Sequence, residues 1–271
     1  MRLFMRLAIG LLLSGFGLTA AFAAQPEAAA CRELVYAANP SYPPYHWAEG
    51  ESAYAGASVE LLALALPPGV RARPVVLPWR RTLEWARQGK VDLILSLRIT
   101  PERTDYLLFT AHRSFSNPIV VFVRRDRVFP FKQWADLKGR RGGVSFGDRF
   151  GNGFDEYWRA ELTVEEAPTM ESNFAKLEAG RIDYFVTSRY VGEAYAGAHT
   201  EGHGVTVLAP PISDEGIHFG FSKASPCAAL ARLVDARLKE LDRKGVSEQL
   251  LKKHLRRYLE QSGAQPPGAR R

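Results

Sequence analysis

Several groups of residues carry side chains that could do chemistry. Gly143-Val144-Ser145-Phe146-Gly147 has the G-x-S-x-G spacing of a nucleophile elbow, in which serine sits on a sharp turn between a strand and a helix. Only Arg140-Arg141-Gly142 precede it, so Ser145 falls inside the strand and reads as structural rather than nucleophilic. His199 and His203 stand four apart and would share a face on a helix. Gly197, Gly202 and Gly204 argue for a solvated loop, and no cysteine or acidic cluster completes a metal shell, so no metal is expected. Gly147, Gly151 and Gly153 precede a helical pattern but match neither a P-loop nor a strict G-x-G-x-x-G. Their amides could bind an anion such as a carboxylate, or simply form a flexible turn. Tyr42, Tyr45 and Trp47 cluster in a Pro-rich stretch, with Trp79 and Trp85 further on; such rings either stack on a planar ligand or fill a core. Arg103 follows Ile99-Thr100-Pro101-Glu102 at the end of an apolar run. A guanidinium there can hold a carboxylate with two parallel bonds, or pair with Glu102 or Asp105.

Alternating strand and helix signals must position these groups. Strands are expected at Glu33–Ala38, Val91–Leu97, Pro118–Val123, Arg141–Phe146, Ile182–Val186, Val205–Leu208 and Ile217–Ser222, with Pro74–Leu77 extended. Helices are expected at Ser58–Leu66, Trp79–Gln88, Lys132–Leu137, Phe154–Glu161, Met170–Ala179, Pro226–Lys244 and Ser247–Gln261. Thr100-Pro101 is a helix start, hydroxyl as N-cap and proline at the first helical position. One unit recurs: Gln88-Gly89-Lys90-Val91-Asp92 and Ala179-Gly180-Arg181-Ile182-Asp183 each close a helix with glycine, place a base at its negative end, and open a strand with aspartate. The copies lie a domain's length apart, which implies an α/β protein of two similar lobes with a ligand cleft between them.

With 46% hydrophobic and 24% charged residues in 271, the chain is neither disordered nor low-complexity. Arg2 and Arg6 precede an uncharged run from Leu7 to Pro26 that ends in small residues, with an Ala21-Phe22-Ala23 cleavage pattern. Residues 1–23 therefore read as a signal peptide, and the protein as exported to the periplasm. Removing them takes two arginines and no acid, lowering the formal charge from +7 to +5. Without long basic blocks, nucleic acid is not an expected partner. Cys31 and Cys227 are the only cysteines, and an even count in an exported chain suggests one disulfide.

Tyr42-Pro43-Pro44-Tyr45, Leu77-Pro78-Trp79, Gly89-Lys90-Val91-Asp92, Ile99-Thr100-Pro101-Glu102-Arg103, Phe109-Thr110, Asp136-Leu137-Lys138-Gly139 and Gly180-Arg181-Ile182-Asp183, in that order, resemble the type 2 periplasmic solute-binding proteins of polar amino-acid ABC transporters, solute-binding family 3. The resemblance runs from about Leu34 to Tyr258. It implies two α/β lobes joined by two crossing strands: lobe 1 from residues 32–115 plus 215–262, lobe 2 from 116–214, and a flexible tail at 263–271. It implies a monomer without cofactor that closes by hinge motion on a small solute with a carboxylate and delivers it to an inner-membrane ABC permease. On the family's pattern Tyr42 and Trp79 sandwich the ligand, Arg103 holds its carboxylate, Ser96 offers a polar contact at a strand end, and Gly147 and Asp148 add amide donors.

Three positions depart from the pattern. Arg98 stands where a small hydroxyl is usual, and Ser188 where an aspartate usually meets the ligand ammonium. Gly56-Ala57-Ser58-Val59-Glu60 replaces G-x-D-x-D. A pocket that gains a cation and loses an anion points to a more anionic ligand than a standard α-amino acid, unless Asp148 supplies the acid from another direction. The alternative class is an enzyme on the same fold, because the family includes a periplasmic cyclohexadienyl dehydratase; that chemistry needs a positioned acid, for which Asp148 is the candidate.

Overall fold

A computed structural model describes residues 31–199 and 204–262. The expected signal peptide, residues 200–203 and the tail beyond 262 lie outside the described residues. Two mixed sheets carry the fold. In the first, β1 (Glu33–Ala37) lies between parallel neighbours β5 (Arg71–Pro74) and β6 (Leu93–Leu97). The strand β14 (Gly216–Ser222) runs antiparallel to β6, to β7 (Leu107–Phe109) and to β8 (Phe115–Ser116). In the second sheet, β10 (Arg141–Ser145) lies between parallel β11 (Thr163–Ala167) and β12 (Tyr184–Ser188). There β9 (Ile119–Arg124) runs antiparallel to β12 and to β13 (Val205–Ser213). The orders β5-β1-β6-β14 and β11-β10-β12-β9 are the same arrangement used twice. A small third sheet, β2 (Ser41–Tyr42), β3 (His46–Glu49) and β4 (Ala53–Ala55), follows β1.

The chain crosses between the large sheets twice, at Asn117-Pro118 and at Asp214-Glu215. Ser116 pairs with Gly216 and Ile119 with Ser213, so the two passes run side by side and antiparallel.

Helices α1 (Ala57–Ala65), α7 (Leu230–Arg243) and α8 (Val246–Gln261) pack together with the first sheet; Leu34, Leu61, Phe219, Phe221 and Val234 form that core. On its other side α2 (Trp79–Arg87) covers Ile94 and Leu97. The second sheet is covered by α4 (Phe154–Glu161), around Phe150, Phe154 and Trp158, and by α5 (Met170–Glu178), around Phe174 and Leu177. Strands covered on both faces read as continuous apolar runs, which is why Leu93–Leu97 and Ile119–Val123 are buried throughout.

The recurring unit has one structural meaning. Gly89 and Gly180 both adopt positive φ, and the following amides, of Lys90 and Arg181, reach back to Trp85 and Lys176 carbonyls at 2.9 Å, closing the helix ends. Asp92 then accepts from the Val35 amide at 2.6 Å and Asp183 from the Arg141 amide at 2.7 Å. Each carboxylate ties the new strand to its parallel neighbour, β6 to β1 and β12 to β10. The disulfide joins Cys31, just before β1, to Cys227, just before α7.

Several elements escape the sequence pattern: the short strands β2, β3, β4, β7 and β8, the strand β5, which ends where the extended stretch Pro74–Leu77 is expected to begin, and β11 and the helix α6 (Arg189–His199). β11 is short and mostly exposed. The helix α6 contains Gly192 and Gly197 and includes His199, which the sequence pattern assigns to a solvated loop. A Cβ at Gly192 would stand 2.4 Å from Phe122, and one at Gly197 2.8 Å from Leu259, so these glycines admit neighbours rather than end the helix.

Candidate functional site

A cleft, open to solvent, lies between the carboxyl end of β6 and the segment after β1 on one side, and the turn after β10 on the other. Its walls bring together Tyr42, Trp79, Ser96, Arg98, Arg103, Gly147 and Asp148, seven residues singled out in the sequence. The eighth, Ser188, is buried outside the lining, and its hydroxyl lies 2.5 Å from Asn117 Oδ1. Asn39, His46, Leu95, Leu97, Arg149 and Ile217 complete the walls.

Local structure explains each placement. Thr100 caps the short helix α3 (Pro101–Thr104) by accepting from the Arg103 amide at 3.3 Å, which turns Arg103 back over the end of β6. Arg103 Nη1 donates to the Arg98 carbonyl at 2.9 Å, and its guanidinium carbon lies 5.7 Å from the Trp79 ring centroid. Burial lowers its pKa, with Arg149 adding to the effect. Tyr42 stacks between Tyr45 and His46, at 5.6 and 5.5 Å between centroids.

Ser96 is held at φ 38°, a left-handed conformation uncommon for a serine. A chain of hydroxyls behind it explains how. Ser114 donates to the Ile217 carbonyl at 2.8 Å, which spends its only proton. The 2.9 Å contact between Ser96 and Ser114 must then be donated by Ser96, and Ser58 donates to Ser96 at 2.8 Å. Ser58 in turn accepts from His46 Nδ1 at 3.4 Å. The His46 ring is neutral, its pKa lowered to about 3 by burial. Ser96 therefore has no hydroxyl proton left for the cleft and presents only a lone pair.

Arg98 is buried, 5% exposed, and already engaged. Its Nη1 donates to Glu215 Oε2 and its Nη2 to the Asn117 carbonyl, both at 2.9 Å. Glu215 Oε1 also accepts from the Asn152 amide at 3.1 Å. The Gly-rich loop lies so close that a Cβ on Gly151 would clash with the same carboxylate at 2.1 Å. Part of that loop thus docks on a carboxylate of the chain itself. The cation expected from Arg98 is neutralised by Glu215. Neither Asn117 nor Glu215 carries a motif; both lie on the passes between the sheets.

Asp148 is different. No hydrogen bond or ion pair to its carboxylate occurs among the described residues. Burial pushes its pKa up to about 7, and Asp155 adds to this, while Arg103, Arg149 and Arg98 oppose it. No group of three or more metal-ligating side chains occurs among the described residues.

Two lobes of like topology, joined by two adjacent passes, with a polar and aromatic cleft between them, define the two-lobed fold of amino-acid-binding proteins. The family of bacterial extracellular solute-binding proteins, family 3, matches residues 34–257. The chain belongs to that family. Among solved structures it is similar to an L-arginine-bound amino acid ABC transporter substrate-binding protein, AbpA, from Streptococcus pneumoniae, with 18% identity, TM-score 0.68, and 84% of this chain and 96% of that one covered. It is similar to a mutant of ArgBP from T. maritima, with 21% identity, TM-score 0.65, and 82% and 94% covered. It is also similar to the ancestral amino acid-binding protein AncCDT-1, a precursor of cyclohexadienyl dehydratase, with 22% identity, TM-score 0.65, and 83% and 95% covered. Among curated proteins none matches. No helix among the described residues is long and apolar enough to cross a membrane.

Proposed function

We propose that the protein is an exported, monomeric solute receptor that closes on a small carboxylate-bearing solute and hands it to an inner-membrane ABC permease. The observation that carries this reading is the cleft, in which Arg103 and Trp79 face Gly147–Arg149, with two adjacent antiparallel passes able to act as a hinge. Arg103 receives the carboxylate, and Tyr42 and Trp79 hold the apolar part of the solute. The lobe limits are residues 32–115 with 215–262, and 116–214. Neighbours of the same fold bind arginine and glutamine, which supports an amino-acid-sized solute. A thermal-shift screen against amino acids and small carboxylates tests the reading. A solute at 100 times its Kd adds about 2.7 kcal/mol, or roughly 5–10 °C for a chain of this size. A screen without any shift refutes it.

Asp148 favours a second reading. A carboxyl that stays partly protonated near neutral pH beside Arg103 has what a general acid needs. Incubation with prephenate or arogenate separates the two, since turnover requires an enzyme.

A further inference from the structure

From the charges left uncommitted in the cleft, we infer that Asp148 and Ser96 form the subsite for a protonated amine on the solute, and that filling it expels a proton from Asp148. The inference rests on the cleft being a solute site, and it shifts the ligand from a net anion to a zwitterion.

Four observations lead there. First, of the three guanidinium groups on the cleft walls Arg98 is spent on Glu215 and the Asn117 carbonyl, while Arg103 and Arg149 each donate from Nη1 to a backbone carbonyl only. Arg103, at the end of β6, and Arg149, on the turn after β10, are left for a carboxylate. Second, Asp148 faces the same space without a hydrogen-bonded or ion-paired partner among the described residues; the neighbouring Arg149 donates from Nη1 to the Asp148 backbone carbonyl, not to the side chain. Third, donor counting leaves Ser96 with a lone pair and no proton toward the cleft. The unpartnered Asp148 carboxylate and the remaining lone pair of Ser96, which already accepts from Ser58, both call for a donor on the ligand, and an ammonium has three. Fourth, Ser188 is outside the lining and tied to Asn117, so a cationic group has no acid to meet there.

The groups facing Asp148 set its titration. Arg103 of α3, Arg98 at the end of β6 and Arg149 of its own turn favour the carboxylate; Asp155 of α4 and burial disfavour it. Tyr42, of β2, feels the Asp148 charge in return. With a pKa of about 7, half of the molecules carry the proton at neutral pH. An arriving ammonium is held only by the ionised form, so the carboxyl proton leaves to solvent while the amine keeps its own. Apparent affinity scales with the competent fraction. It therefore rises about tenfold between pH 6 and pH 8, with about half a proton released per solute at pH 7.

The test uses two probe sets on the intact protein: the standard L-amino acids and 2-hydroxy acids that lack the amine, including L-lactate, L-malate and L-3-phenyllactate. Calorimetry at pH 7 in phosphate and in Tris reads proton release directly. Expected are preference for an amino acid over its hydroxy counterpart by tenfold or more, release of about half a proton, and affinity rising with pH. In Asp148→Asn the proton release and the pH dependence disappear and the preference shrinks. Should Asp148→Asn fail to fold, the buffer comparison on the unaltered protein still decides. Equal or tighter binding of hydroxy acids, proton uptake, or affinity falling with pH would overturn the inference and leave the solute-binding reading standing; a protonated Asp148 would then donate to an anionic ligand. Unchanged discrimination in Asp148→Asn overturns it too. No binding by either probe set overturns both readings.

Discussion

Replacing Glu215 by glutamine should harm the protein more than removing the arginine it serves. Glu215 is 42% exposed, whereas Arg98 is 5% exposed and its Nε already lacks a partner. Glu215→Gln leaves a charged guanidinium buried without its counterion. Breaking a buried pair costs about 3–5 kcal/mol and an exposed one about 0–1 kcal/mol. This pair is buried on one side only, which places the loss near about 2 kcal/mol, or roughly 4–8 °C in Tm. Arg98→Met removes the charge that needed compensation and leaves Glu215 able to turn to water. Its cost should be smaller, and the double variant should lie close to Arg98→Met. Melting curves of the three variants complete the cycle. A coupling below about 0.5 kcal/mol, or Arg98→Met costing more than Glu215→Gln, would refute the idea that Glu215 exists to neutralise Arg98. The same variant carries a functional signature. With Glu215 neutral, Arg98 becomes an available cation on the cleft wall, so Glu215→Gln should bind anionic solutes more tightly than the unaltered protein does.

Trp79→Ala should weaken solute binding by roughly 2–4 kcal/mol in titrations, as for a stacking hot spot, with little change in Tm; normal binding with a large fall in Tm would make Trp79 a core residue. Arg103→Lys should already impair binding of a carboxylate, because an ammonium cannot copy two parallel N–H bonds, and unchanged affinity would misplace the carboxylate site. Reducing the Cys31–Cys227 bond, which spans 196 residues of sequence, should cost about 2–5 kcal/mol in urea titrations, and two alkylatable thiols in unreduced periplasmic material would contradict the bridge. His46 has a folded pKa of about 3 against 6.5. The unfolded chain therefore binds more protons in that window, and stability falls as pH drops below 6.5, by about 1.4 kcal/mol per pH unit at most. Melting at pH 7 and pH 5 should show the loss, and His46→Asn should blunt it.

Much of the scaffold was legible because its signals are local. A glycine that must take positive φ, a base at a helix end and an aspartate opening a strand recur as Gly89-Lys90-Val91-Asp92 and Gly180-Arg181-Ile182-Asp183, and they reveal two lobes because each part answers to its immediate neighbours. Thr100-Pro101 predicts both a cap and the position of Arg103 for the same reason. Apolar runs such as Leu93–Leu97 announce buried strands through composition alone. The helix α6 was hidden because its glycines answer to Phe122 and Leu259, residues distant in sequence.

The state of the site was settled only by tertiary structure. Resemblance to the family's motifs pointed to Tyr42, Trp79, Ser96, Arg98, Arg103, Gly147 and Asp148, which line the cleft, and to Ser188, which does not. It did not reveal that Arg98 is already neutralised, that the hydroxyl proton of Ser96 points away from the cleft, or that burial outweighs the arginines around Asp148 and raises its pKa. Those facts depend on Glu215, Ser114 and Ser58, which come from elements far apart in the chain and have no pattern of their own. A charge's availability is set by what stands within a few ångströms of it in a medium of low dielectric, and only the folded chain decides which groups those are.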